Sequence, residues 1–164
     1  MSEAEPRSHE ESIFVESLPE VLYDLVSDVT RTGEWSPVCT GCWWDDDDRS
    51  GQVGTWFTGR NEVPGRTWET RSQVVVAERG REFAWVVGGS FVRWGFVLTP
   101  VDAGTRLTET WHFLDGGIEM FHEKYAEQAD AQIAERTQQA LAGIPTTLAA
   151  IKRIAESSSS EGTS

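Results

Sequence analysis

Cysteine, tyrosine, methionine and histidine are all scarce: two Cys, two Tyr, two Met and three His in 164 residues. Two cysteines make no disulfide framework, so a chain of this length must be held by a buried core. His9, His112 and His122 stand at no ligand spacing, and Cys39 with Cys42 is two ligands short of a zinc site. No cofactor and no metal is therefore expected. Long apolar runs are also missing, so nothing approaches a membrane-spanning helix, and the polar opening residues lack the apolar region of a secretory signal. The expectation is a cytoplasmic protein without membrane insertion. Basic residues are few, 14 Lys and Arg against 27 Asp and Glu, for a net charge of -13. Such a chain repels polyanions, which argues against nucleic acid as a partner, and Lys and Arg form no cluster along the sequence.

What is present in excess is tryptophan, eight residues beside two tyrosines. Trp is large and apolar with one donor, so eight point to a thick aromatic core or an aromatic-lined pocket. Hydrophobic residues at 38% and charged residues at 25% place the chain among folded domains. Residues 1–11, polar and acidic, and 157–164, rich in Ser, read as disordered tails around one domain over 12–156.

Within that domain, residues 12–17 alternate weakly and read as a first strand. Pro19 and Glu20 open a helix whose apolar stripe is Val21, Leu22, Leu25 and Val26. Residues 28–37 form a break with one helical turn near 32–35. Strands are then predicted at 41–45, 53–62, 66–77, 82–87, 92–100 and 105–114, joined by short Asp- and Gly-rich turns. Links so short force antiparallel pairing. The Asp45 to Asp48 run matches a calcium loop in composition only and reads as a solvated hairpin tip. From Gly117 onward the period becomes helical, over 118–154, with Leu141, Ile144, Leu148, Ile151 and Ala155 on one face and a kink or break expected at Pro145.

The two-residue period then sorts side chains by face. One face carries Val53, Thr55, Phe57, Gly59 and Asn61; others carry Trp68, Thr70, Ser72, Val74 and Val76, or Phe83, Trp85 and Val87, or Val92, Trp94, Phe96 and Leu98. In the last strand Leu107, Glu109, Trp111 and Phe113 share a face. Asn61 and Glu109 are the polar members of apolar sets. A carboxylate among Trp and Leu has its ionised form disfavoured. It is kept for chemistry, for ligand orientation, or as half of an ion pair with Arg60, Arg71 or Arg93. Gly54 and Gly59 permit a sheet bent around a helix with space between them. Cys39-x-x-Cys42 enters a strand rather than opening a helix, so reduced structural thiols stand beside a reversible disulfide or metal role.

The pattern resembles the START-like superfamily, also called SRPBCC or Bet v 1-like, and within it the actinobacterial polyketide cyclase/dehydrase-like group. The residues that carry the resemblance are 17–28 with Ser17-Leu18-Pro19-Glu20, then Glu34-Trp35-Ser36-Pro37, and 53–61 from Val53-Gly54-Thr55-Trp56 to Arg60-Asn61. Trp68, Arg93-Trp94-Gly95, 104–111 from Gly104-Thr105-Arg106 to Trp111, and 147–152 continue it over nearly the whole domain. The resemblance implies an α+β helix-grip fold: a seven-stranded antiparallel sheet around a long C-terminal helix, with two short helices after the first strand. It also implies a hydrophobic cavity between sheet and helix.

Two functions follow as expectations. One is binding of a hydrophobic small molecule, lipid- or polyketide-like, with Phe57, Asn61, Trp68, Trp85, Trp94, Glu109 and Trp111 as binding residues. The other is a cyclase- or dehydratase-type enzyme in which Glu109 acts as general acid or base and Asn61 polarises a carbonyl. No nucleophile–base pair is visible, so any catalysis is acid–base rather than covalent. A regulatory protein that docks a basic partner through its acidic surface is a third reading. The chain is expected to be a monomer or a homodimer.

Overall fold

The computed structural model describes residues 7–161. Seven strands form one antiparallel sheet: β1 (Ser8–Val15), β2 (Cys39–Trp44), β3 (Trp56–Val63), β4 (Arg66–Glu78), β5 (Glu82–Val87), β6 (Val92–Val101) and β7 (Gly104–Phe113). Their spatial order is β1-β7-β6-β5-β4-β3-β2. Strands β2 to β7 meander with short turns, and β1 adds to the far side of β7. Helix α1 (Pro19–Val26) and a 3-10 segment at Val29–Glu34 carry the chain from one edge of the sheet to the other. Helices α2 (Asp115–Tyr125) and α3 (Ala129–Glu161) complete the chain, and α3 packs on β1, β7 and α2. This is the α+β helix-grip architecture.

The core lies between the sheet and α3. Ile144, Leu148, Ile151 and Ala155 of α3 are buried at helical spacing, as predicted, while Leu141 is half-buried. They meet Phe83, Phe96, Leu98, Leu107 and Phe113 of the sheet and Leu22 and Val26 of α1. Each large apolar side chain moved out of water here contributes roughly 1.5–3 kcal/mol.

Several expectations need correction. Residues 8–11 are not tail but the first half of β1, with Ser8 opposite His112 and Glu11 opposite Glu109. Their polarity hides a period of two that continues through Ile13 and Val15. At the other end α3 runs to Glu161, because the Ser-rich stretch contains no Gly or Pro before that point to stop the helix. Residues 1–6 and 162–164 lie outside the described residues. The strand predicted from Val53 begins at Trp56, since Gly54 turns with a φ of +92° that breaks the extended path. A register shift between Val74 and Val76 puts Ala77, not Val76, opposite inward-facing Phe83.

The single helix predicted over 118–154 is two helices. The chain breaks at Ala126, held at φ +48° although alanine is the best helix former. Tertiary packing imposes this: Phe121 stacks edge-on between Phe113 and Tyr125 at centroid distances of 5.3 and 5.1 Å. By contrast α3 passes Pro145 unbroken. Pro145 is exposed, so water can satisfy the carbonyl it leaves unpaired.

Two substitutions test this packing by urea unfolding. Ile151, with no exposed surface, is expected to lose about 2–5 kcal/mol on change to Ala. Gly143→Ala is expected to gain about 0.5–1 kcal/mol from helix propensity. An added Cβ there meets only the Pro37 Cγ, at 3.6 Å.

Candidate functional site

Between the concave face of the sheet and α3 the core opens into a cavity of about 570 Å³. That size suits one drug-sized or lipid-sized molecule. Its walls follow from strand register. Trp85, Trp94 and Trp111 stand side by side on β5, β6 and β7, because they are direct cross-strand partners. Phe57 packs edge-on against Trp85 at 6.0 Å and against Trp44 at 5.5 Å. All seven residues singled out in the sequence, Phe57, Asn61, Trp68, Trp85, Trp94, Glu109 and Trp111, line this one cavity. Five of the eight tryptophans do so, Trp35 being the fifth, so the Trp excess is spent mainly on the cavity wall.

Burial is graded along it. Glu109 and Trp111 are only 5% and 3% exposed, Trp68 and Asn61 are half-buried, and Lys124 is exposed. The Glu109 end is therefore deep and the Trp68 end is near solvent.

Glu109 faces Phe96 on one neighbouring strand and Glu11 on the other. Its Oε1 is buried without a hydrogen-bond partner. Burial first, and the Glu11 carboxylate second, push its pKa up to about 8. The ion pair that sequence offered as an alternative does not form: Arg71 bonds Asp45 at 2.8 Å and Arg93 bonds Glu82 at 3.3 Å. Beside Glu109, the His9 Nε2 and Glu11 Oε2 lie 3.0 Å apart. Sequence reasoning missed both residues, and the signal that could have found them was the parity they share with Ile13 and Val15.

Asn61 is placed elsewhere. It stands on β3, four strands from β7 along the sheet. Its Nδ2 donates to Thr70 Oγ1 at 3.4 Å. Asn61 and Glu109 therefore line separate stretches of the same cavity wall. His112 and His122 are exposed, and the ring of His122 lies 3.8 Å from Asp130.

Other groups line the cavity that the sequence did not assign to it. The two thiols, Cys39 and Cys42, are free and 3.3 Å apart against Gly59, where a Cβ would meet the Cys42 Sγ at 3.2 Å. A β-bulge between Cys39 and Gly41 brings them together. The hydrogen bond between the two sulfurs lowers the Cys39 pKa and raises that of Cys42. Arg136 of α3 and Lys124 of α2 complete the outer end.

A family model described as polyketide cyclase / dehydrase and lipid transport matches residues 7–143. The chain belongs to that family. The solution NMR structure of the Polyketide_cyc-like protein Cgl2372 from Corynebacterium glutamicum is 49% identical to this family member, covers 91% of each chain and superposes with a TM-score of 0.68. The di-domain ARO/CYC StfQ of the steffimycin biosynthetic pathway shares 17% identity and a TM-score of 0.66, over 94% of this chain and 52% of StfQ. Major latex-like protein 151 of Panax ginseng shares 12% identity and a TM-score of 0.53, over 66% of this chain and 80% of its own. These last two show the fold alone. No functionally curated protein matches the sequence. Among the described residues no helix of this polyketide cyclase-family chain is long and apolar enough to cross a membrane.

Two measurements follow. An unfolded glutamate ionises near its ordinary 4.5, while folded Glu109 holds its proton to about 8. The folded state thus binds the extra proton between those values, and stability falls as pH rises through that window, by up to about 1.4 kcal/mol per pH unit. Melting curves of Glu109→Gln should lack this part of the fall; parallel curves for both proteins would contradict it. Separately, the buried Cys39 should alkylate faster at neutral pH in wild-type protein than in Cys42→Ala, which removes the hydrogen bond that lowers its pKa.

Proposed function

We propose that this protein binds an apolar, partly aromatic small molecule, lipid- or polyketide-like, between the sheet and α3. The observation that carries the reading is the cavity itself. It has about 570 Å³ of space walled mainly by Trp, Phe and Val, with polar side chains such as Asn61, Thr70, Glu109 and Arg136 set among them and an opening toward solvent. A folded chain leaves that much apolar surface uncovered only at a cost, near 25 cal/mol per Å². A ligand of matching polarity recovers it. The family description, which names both polyketide cyclases and lipid transport, supports the same class of molecule.

Titration with the uncharged fluorophore N-phenyl-1-naphthylamine tests this directly. Saturable binding at one probe per chain is expected, with quenching of the cavity tryptophans. A signal that rises linearly without saturation ends the proposal.

One observation favours a second reading. Glu109 holds a proton near neutral pH at the deep end of the cavity, in whose wall it stands, and its buried Oε1 has no hydrogen-bond partner. A neutral carboxyl there can donate a proton to a carbonyl or leaving hydroxyl of a polyketide-like substrate, and take it back as carboxylate. Glu109→Gln keeps the shape and removes the proton. Loss of turnover by about 100-fold or more, with probe binding retained, supports the acid role. Unchanged turnover of a substrate that wild-type protein converts eliminates it.

A further inference from the structure

The outer end of the cavity differs from the deep end in charge. Arg66 of β4 lies over the Trp68 ring, its guanidinium carbon 4.3 Å from the centroid. Arg136 of α3 approaches the same ring at 5.4 Å and the Phe121 ring at 5.8 Å. Lys124 sits over Tyr125 at 5.3 Å, and Tyr125 packs on Phe121. Three cations from separate parts of the sequence thus gather on one aromatic cluster at the mouth. They form the basic patch that is invisible in the linear order of a chain with net charge -13.

Among the described residues no carboxylate lies within ion-pairing distance of any of the three. The Arg66 Nε and Nη2 and the Arg136 Nη1 are buried with no hydrogen-bond partner. Gln132, one helical turn before Arg136, likewise buries an amide oxygen without a partner. Buried donors on a cation are costly to leave unmet, and acidic residues outnumber basic ones almost two to one in this chain. Two guanidiniums without an ion-pair partner among the described residues, both stacked on the Trp68 ring of the cavity wall and one of them, Arg136, itself lining the cavity, have the chemistry to bind a planar oxyanion.

We propose that this mouth is a carboxylate-binding subsite and that the ligand is an amphipathic organic acid. Its carboxylate is held by Arg66 and Arg136 near solvent, and its apolar body runs inward along Trp94 and Trp111 toward Glu109. The gradient of burial along the cavity matches such a molecule: wet at the Trp68 end, where Arg136 and Lys124 outnumber Glu69, and dry at the other. This rests on the ligand-binding reading above and adds the charge and direction of the ligand.

The test is displacement of N-phenyl-1-naphthylamine by decanoate, decan-1-ol and decyl phosphate from the full chain. Wild-type protein should prefer decanoate over decan-1-ol by about tenfold or more, as expected for charge-assisted hydrogen bonds. Decanoate should also equal or exceed decyl phosphate. In the double variant Arg66→Gln, Arg136→Gln the ratio of decanoate to decan-1-ol affinity should fall to within about twofold, each read against that variant's own probe affinity. Arg136→Lys should keep part of it. Equal displacement by acid and alcohol in wild-type protein overturns the subsite without need of any variant. So does a preference that survives in the double variant, while tighter binding of decyl phosphate reassigns the anion and overturns the carboxylate. Absence of saturable probe binding would remove the cavity reading as well, so the two failures are distinct.

Discussion

The site depends on the register of β7. This strand is hydrogen-bonded along both sides, to β6 and to β1, so its inward residues cannot slip by one without turning every side chain to the wrong face. Leu107, Glu109, Trp111 and Phe113 are all buried because of it. The same two ladders decide what Glu109 meets. On one side is Phe96, which offers no hydrogen bond; on the other is Glu11, which repels a second negative charge. The proton on Glu109 is thus a property of strand pairing more than of any one neighbour.

Where apolar residues alternate, the sequence was legible. Strands β4 to β7, the inward parity of Trp85, Trp94 and Trp111, and the buried stripe of α3 could be read from period alone. Three things could not. Ser8, His9, Glu10 and Glu11 carry no hydrophobic alternation, so the half of β1 that flanks Glu109 looked like a tail. Ala126 carries no breaker signal, because its left-handed backbone answers to the Phe113, Phe121 and Tyr125 stack. Arg66, Lys124 and Arg136 lie far apart in sequence, and only the fold brings them to the same aromatic cluster. Each miss is a long-range effect that local pattern does not encode.

Charge is distributed to match. The net excess of acid is carried on exposed surface, including the Asp46 to Asp48 turn. Inside, the acid is muted by protonation, and cations stand at the entrance. Surface acidity and a cationic doorway act at different ranges. Salt screens the first beyond about 10 Å, while the second works in contact with an arriving ligand.

The pairing of β1 with β7 also has a consequence in time. Val15 meets Thr105 and Ser8 meets His112, so the first strand synthesised closes on the last. The intervening loop must be gathered before this ladder returns any free energy, and contacts so distant in sequence slow folding. The meander from β2 to β7 can assemble from neighbours, but the wall beside Glu109 is finished only when the chain's beginning docks on its far edge. Glu109 meets Glu11 only through this long-range ladder, so part of its raised pKa depends on a pairing between distant parts of the chain.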